Sequence, residues 1–285
     1  MNQVPIAFFE DVLSLAFVEG YKCRHSLFSG SFGKCALRFC ELGHLKELTL
    51  QNGNLKERAC RYYGLDGTPE TNHTKFNPKF LLCKYLNYSV QGNEVPSIAA
   101  SLPAEITNFM EEPGLFCLDL RSSTIDDKWI KLFCSWQRLQ QVEIRDVLTQ
   151  SVSDLLNVLL NQEQLLYLTV STTNYTTAGI QLFCKFLLQK QFLGLYLETY
   201  GDEVGTKIIN TREESKELLK GKMVYWFAKT VLPDDTFERS EAKAFDFIRF
   251  ENGEMEVDYC NLTQTTDIKE EEYLKDATRT IWRFL

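Results

Sequence analysis

Gly30-Ser31-Phe32-Gly33-Lys34 is the stretch of this chain best suited by type to hold a phosphate, because glycines let backbone N–H groups come close and a lysine supplies charge. Asp246-Phe247 adds an aspartate of the kind that can hold a metal beside a nucleotide. The parts that would complete phosphoryl transfer are missing: there is no strand lysine in a Val-Ala-Ile-Lys setting, no His-Arg-Asp loop, no Asp-Phe-Gly and no Gly-x-x-x-x-Gly-Lys-Ser/Thr. Cys35, Cys40 and His44 could be drawn as zinc ligands, with Cys23 or His25 as the fourth. Structural zinc sites bring their thiolates in tight pairs such as Cys-x-x-Cys, and none occurs here, so Cys35 and Cys40 fit better as core positions of a short helix. The histidines His25, His44 and His73 stand beside no Gly-x-Ser-x-Gly elbow and no cysteine in a catalytic setting. We expect no metal, no cofactor and a non-enzymatic role. The alternative, an enzyme with an unrecognised site, would need carboxylates or histidines of shifted pKa converging in a cleft.

Composition narrows the partners. Thirty-one basic against 39 acidic residues leave a net charge of -8, which argues against general nucleic-acid binding, since phosphate affinity comes from clustered Lys and Arg. Hydrophobic content of 44% and aromatic content of 13% exclude a disordered chain. No segment reads as a membrane span or a secretory leader, and nine scattered cysteines read as reduced, buried thiols. An intracellular protein, cytoplasmic or nuclear, with protein partners is expected.

The elements that would carry binding residues come from a repeat. Leu115-Phe-Cys-Leu118-Asp-Leu120, Leu139-Gln-Gln-Val142-Glu-Ile144, Leu165-Leu-Tyr-Leu168-Thr-Val170 and Phe192-Leu-Gly-Leu195-Tyr-Leu197 share the pattern apolar-x-x-apolar-x-apolar at intervals of 24, 26 and 27 residues. Helical periodicity fills the gaps, over 126–136, 151–160 and 177–188, with Ser153, Asp154 and Thr177 as capping choices. One strand plus one helix at this period is the spacing of leucine-rich repeats. We therefore expect an α/β fold, a leucine-rich-repeat-like solenoid forming an irregular horseshoe, regular over about 115–228. Residues 1–44 are expected to form a short helical capping segment, and residues 45–285 the solenoid with a strand-rich C-terminal cap.

Elsewhere the pattern is looser. A helix over 4–15 opens at Pro5, and a second runs from Phe32 to Glu41, capped by Ser31 and followed by Gly43. Leu45-Lys-Glu-Leu48-Thr-Leu50 is a first copy of the strand phrase. Regularity fades between Asn52 and Ser101, apart from an apolar strand over 80–90, and the space before Leu115 has room for about two degenerate repeats. A helix is expected over 211–219 and a strand over 223–227. Asn252-Gly253 should turn a hairpin between Phe245–Phe250 and Met255–Cys260, and the segment to Leu285 should cover the last edge.

In such strands the phrase leucines point inward and the intervening residues alternate outward. The expected partner-binding concave face is Thr49, Asp119, Glu143, Thr169 and Tyr196, then Arg121, Arg145 and Glu198, with Tyr167 and Tyr196 as aromatic anchors.

Val4-Pro5, Phe8, Val12 and Leu15 resemble the first helix of an F-box, the motif that docks on the adaptor subunit of cullin-type ubiquitin ligases. Followed by leucine-rich repeats, the layout resembles the nematode F-box-like proteins. The resemblance implies a substrate-recognition subunit of a cullin-type ligase, with Val4, Pro5, Phe8, Val12 and Leu15 meeting the adaptor and the repeats meeting a substrate protein. A leucine-rich-repeat binding or scaffold protein with no ligase link is the alternative.

Overall fold

The computed structural model describes residues 30–65, 67–70, 76–100, 102–240, 247–261 and 270–285. The fold is mixed α/β, and the chain forms two compact units, one ending at Gln141 and one running from Val142 to Leu285.

In the first unit, α1 (Gly30–Leu42) buries Cys35, Ala36 and Phe39 against Phe80 and Leu82. Its helical residues begin at Gly30, so Ser31 lies inside the helix and does not cap it as expected. Strand β1 (His44–Gln51) turns at Asn52-Gly53 into an antiparallel β2 (Asn54–Gly64), which β3 (Pro69–Glu70) borders. Both turn residues have positive φ, and a Cβ on Gly53 would run into the Ser97 carbonyl oxygen, so only glycine fits there. On the other side of β1 run β4 (Leu81–Ser89) and β5 (Leu115–Leu120), both parallel to their neighbour, giving the order β5-β4-β1-β2-β3.

Parallel strands need a crossover, and α2 (Leu102–Glu111) supplies one between β4 and β5. After β5, α3 (Asp127–Cys134) starts where the Asp126 carboxylate accepts from the N–H groups of Lys128 and Trp129, at 3.0 and 3.1 Å. Tyr88 packs on Trp129 and Phe133, and Phe116 on Phe109 and Trp136, so these helices cover one face of the sheet. The register puts Leu48, Leu86 and Leu118 side by side on that face and Thr49, Asn87 and Asp119 side by side on the opposite one.

The second unit repeats the strand–helix step. Strand β6 (Leu139–Ile144) carries the boundary between the units and is followed by α4 (Gln150–Gln162), β7 (Tyr167–Val170), α5 (Thr177–Leu187), β8 (Gly194–Leu197), α6 (Asp202–Glu214), α7 (Lys216–Leu219) and β9 (Met223–Trp226). Strands β7, β8 and β9 are parallel. Then β10 (Glu238–Arg239), β11 (Phe247–Glu251), β12 (Met255–Cys260), α8 (Glu270–Lys275) and β13 (Arg279–Phe284) complete the unit, in the order β6-β7-β8-β9-β13-β12-β11-β10. The hairpin turns at Asn252-Gly253 as expected, with Gly253 at φ 81°. The last strand does not lie at an edge: β13 sits between β9 and β12, antiparallel to both.

Three helix details differ from expectation. The N-caps of α4 and α5 are Thr149 and Thr176, whose hydroxyls accept from the N–H groups of Val152 and Gly179, so Ser153, Asp154 and Thr177 lie within the helices. The helix expected to open at Thr211 begins at Asp202, and Thr211 is near its end. Its buried face holds Val204, Gly205, Ile208, Thr211 and Arg212, a thin apolar stripe that leaves little periodic signal.

Helix ends in both units are tied to side chains distant in the sequence. Lys84 Nζ donates to the carbonyls of Phe109, Met110 and Glu112, at 3.1, 2.9 and 2.5 Å, closing the end of α2. Gln189 Nε2 donates to the Leu160 carbonyl in α4, and Lys222 Nζ to those of Leu187, at 2.7 Å, and Gln189 after α5. These satisfy carbonyls that a helix leaves open at its C-terminus.

Candidate functional site

Two places gather residues that could do chemistry. In the first unit, Lys46, Cys60, Tyr62, Lys84, Glu112 and His44 lie close together. Burial is the largest influence on the Lys46 ammonium and would lower it, but the bond to the Glu112 carboxylate together with the charges of Cys60, Glu112 and Tyr62 holds it above the ordinary value. Burial pushes Lys84 down to about 8 and raises the Cys60 thiol. His44, 1% exposed, is lowered chiefly by burial, and its ring packs 4.5 Å from that of Phe76. The two lysines are committed to Glu112 and to the end of α2, so the cluster ties β1 and β4 to the end of that helix. Cys35 is in the α1 core with Cys40 packed against it, and among the described residues no group of three or more His, Cys, Asp and Glu is arranged to hold a metal ion. Cys23, His25 and His73 lie outside the described residues, as do Asp246 and the F-box-like positions Val4, Pro5, Phe8, Val12 and Leu15.

The other place is the sheet face that the helices leave uncovered. In the first unit it carries Thr49, Asn87 and Asp119 in one row. Thr49 is half-buried, whereas Asp119 is 1% exposed and accepts from Arg121 Nε at 2.8 Å. The Asn87 amide is equally buried, and neither its nitrogen nor its oxygen has a hydrogen-bond partner among the described residues. In the second unit Arg145 pairs with Glu143 at 2.9 Å. Thr169, Tyr196 and Tyr225 form one row, with Tyr167, Gly194 and Met223 in the row before and Glu198 just beyond. Antiparallel pairing continues the row through Ile281 to Asp258 and Arg249.

Asp119, Tyr167 and Thr169 are therefore buried, not open to a partner as the alternation led us to expect. An interior strand is flanked on both sides, and the larger neighbours close over a short or laid-down side chain: Tyr167 lies against Tyr196, with ring centroids 6.2 Å apart. What stays at least partly accessible is Thr49, Arg121, Glu143, Arg145, Glu198 and Tyr196, with Tyr225 and Phe227 beside Tyr196. Tyr196 and Tyr225 stack at 5.4 Å, Tyr225 meets Phe227 at 4.9 Å, and Phe227 is 38% exposed. Gly194 is the floor of this strip, since a Cβ there would reach within 3.1 Å of the Tyr167 ring and 3.3 Å of Met223 and Tyr196. Burial raises the Tyr225 phenol, and the nearby positive charge of Arg279 pulls it part of the way back. Arg249 and Arg283 both bond the buried Asp258 carboxylate.

Sequence reasoning stopped the face at Tyr196 and missed Tyr225, Phe227, Ile281 and Arg279. The first two lie in the strand that it expected over 223–227 and could have been added by continuing the rows. The last two could not, because nothing in the local sequence places β13 next to β9. On the helix side, a groove between α5 and α6 is lined by Ile180, Gln181, Glu203, Thr206, Lys207 and Asn210. No helix among the described residues is long and apolar enough to cross a membrane.

No known family model matches the chain. No solved structure matches it either. Over 151 residues, 50% of its length, the chain is 24% identical to NACHT, LRR and PYD domains-containing protein 14 of Homo sapiens, and the match spans 12% of that protein. The likeness to a protein named for LRR domains agrees with the leucine-rich-repeat part of the sequence reading, and nothing in it bears on an F-box.

Proposed function

We propose that this chain is a non-enzymatic protein-binding protein built on a leucine-rich-repeat-like solenoid, and that it takes its partner on the uncovered sheet face. The observation that carries this reading is the strip of Tyr196, Tyr225 and Phe227, accessible on parallel strands whose other face is covered by helices. Large rigid aromatics on an exposed face are the residues that most often dominate protein interfaces. Reduced accessibility of this strip to hydroxyl-radical labelling when a captured partner is added supports the reading. Unchanged labelling of the strip in a stable complex sends the contact elsewhere.

The finer version, substrate recognition for a cullin-type ubiquitin ligase, rests on the F-box-like residues Val4, Pro5, Phe8, Val12 and Leu15. It predicts that the purified chain is captured by the ligase adaptor subunit and that Phe8→Ala with Val12→Ala abolishes capture without loss of folding. Absence of capture by folded wild-type protein leaves a repeat-based binding or scaffold protein with no ligase link.

A further inference from the structure

The uncovered face of the second unit bears several arginines, and they differ in what neutralises them. Arg145 pairs with Glu143, while Arg249 and Arg283 pair with Asp258, and Arg249 also with Glu256. Arg279 bonds no carboxylate among the described residues. It lies half-buried on β13, two residues before the Ile281 that pairs with Tyr225, and its guanidinium stands 5.8 Å from the centroid of the Phe227 ring. An arginine held against aromatic rings has already lost much of its side-chain freedom, and its planar fork is matched to a carboxylate. Beside it, Phe227 and Tyr225 offer apolar surface that nothing among the described residues covers completely.

We propose that this corner, formed by Arg279, Phe227 and Tyr225, binds a linear segment of a protein partner in which an aspartate or glutamate stands next to an apolar or aromatic side chain. The carboxylate pairs with Arg279 in the bidentate geometry the guanidinium favours, and the neighbouring side chain covers Phe227 and the outer edge of Tyr225. Charge complementarity is the argument for the occupant. Among the described residues the corner has a cation without an acid, whereas Arg145, Arg249 and Arg283 on the same face have acids supplied by the chain itself. The inference deepens the protein-binding reading and rests on it.

The test is selection of random linear 16-residue peptides displayed on phage against the full chain. The best sequence is then synthesised, labelled and measured by fluorescence polarisation. The expected result is enrichment of Asp or Glu beside Phe, Tyr, Leu or Pro. Affinity for the selected peptide should fall at least tenfold with Arg279→Glu, several-fold with Arg279→Gln or Phe227→Ala, and not at all with Val158→Ser on the far side of α4. Replacing the peptide's acid by its amide should match the Arg279→Gln loss, and raising salt should weaken the wild-type complex. Thermal unfolding of each variant separates lost binding from lost fold; if Arg279→Glu unfolds, Arg279→Gln carries the test. Peptides selected without acids, or bound equally by the folded Arg279 variants, overturn this proposal and leave the protein-binding reading standing. Failure to enrich any sequence counts against both.

Discussion

Lys84 offers a quantitative check on the packing of the first unit. The residue is 1% exposed, and burial brings its ammonium down to about 8. In the unfolded chain a lysine keeps its proton to about pH 10.4, so between these values the unfolded state binds more protons than the folded one. Stability must therefore rise with pH across that window, and fall as pH drops towards 8. Titrating one such site from about pH 7 to about pH 9.5 yields at most about 2 kcal/mol, and solvent reaching the lysine head beside the partly exposed Glu112 reduces this to about 1 kcal/mol. Lys84→Met keeps the volume and removes the proton. It also leaves the carbonyls of Phe109, Met110 and Glu112 without this donor, a loss that removal of a buried charge offsets in part. Urea unfolding followed by tryptophan fluorescence, at constant ionic strength and at steps through this range, should show wild type gaining about 1 kcal/mol on the variant. Parallel profiles for the two proteins would refute the reasoning, and would mean that the Lys84 head is solvated in the folded protein.

Other expectations follow the same logic. Asp126→Ala removes the acceptor for the N–H groups of Lys128 and Trp129 and should cost about 1 kcal/mol by denaturant unfolding, with Asp126→Ser retaining most of it. Burial pushes the Tyr259 phenol up to about 12, above the ordinary value of 10, so the unfolded chain releases this proton first and stability should fall between pH 10 and pH 12; Tyr259→Phe should flatten that fall. Asp258→Ala leaves Arg249 and Arg283 without their shared acid and should destabilise by about 2 kcal/mol, less than a fully buried pair because both arginines are partly exposed. Circular dichroism melts of wild type and variant would read this directly.

The strand phrases were the most legible part of the chain. Leu115–Leu120 and Leu139–Ile144 are strands over their whole length, and in the first of them Leu115, Leu118 and Leu120 stand beside Cys83, Leu86 and Tyr88 of the neighbouring strand. The later copies start two residues late, at Tyr167 and Gly194, because Leu165 and Phe192 pack within the turns that enter the strands. Strand β2 had a signal in Asn52-Gly53, but the unbroken polar run over 56–58 and then Arg61 interrupt the alternation that marks a strand. The helix α2 escaped although Ile106 and Phe109 are three apart and buried, since it follows a long irregular stretch. Lys84 and Lys222 were illegible in principle: a lysine inside a sheet-facing run reads as surface, and only the position of a distant helix end explains its burial. The candidate face was readable where rows could be counted along parallel strands, and lost where chain reversal at β13 brought in Ile281 and Arg279.

That reversal also sets an order of assembly. The β11–β12 hairpin is local and can pair as soon as its turn closes, yet it has no route to the parallel strands except through β13, which comes later in the chain. The β9 edge must wait for a segment more than fifty residues further on, Trp226 meeting Thr280, so the closing step of this unit is a long-range one with a large loop entropy to overcome. Until it happens, β9 presents an unpaired edge with Val224 and Trp226 uncovered by Trp282, the state in which this chain is most exposed to pairing with another. Substitutions that weaken β13 should thus reveal themselves first in refolding yield, ahead of any change in the parallel strands.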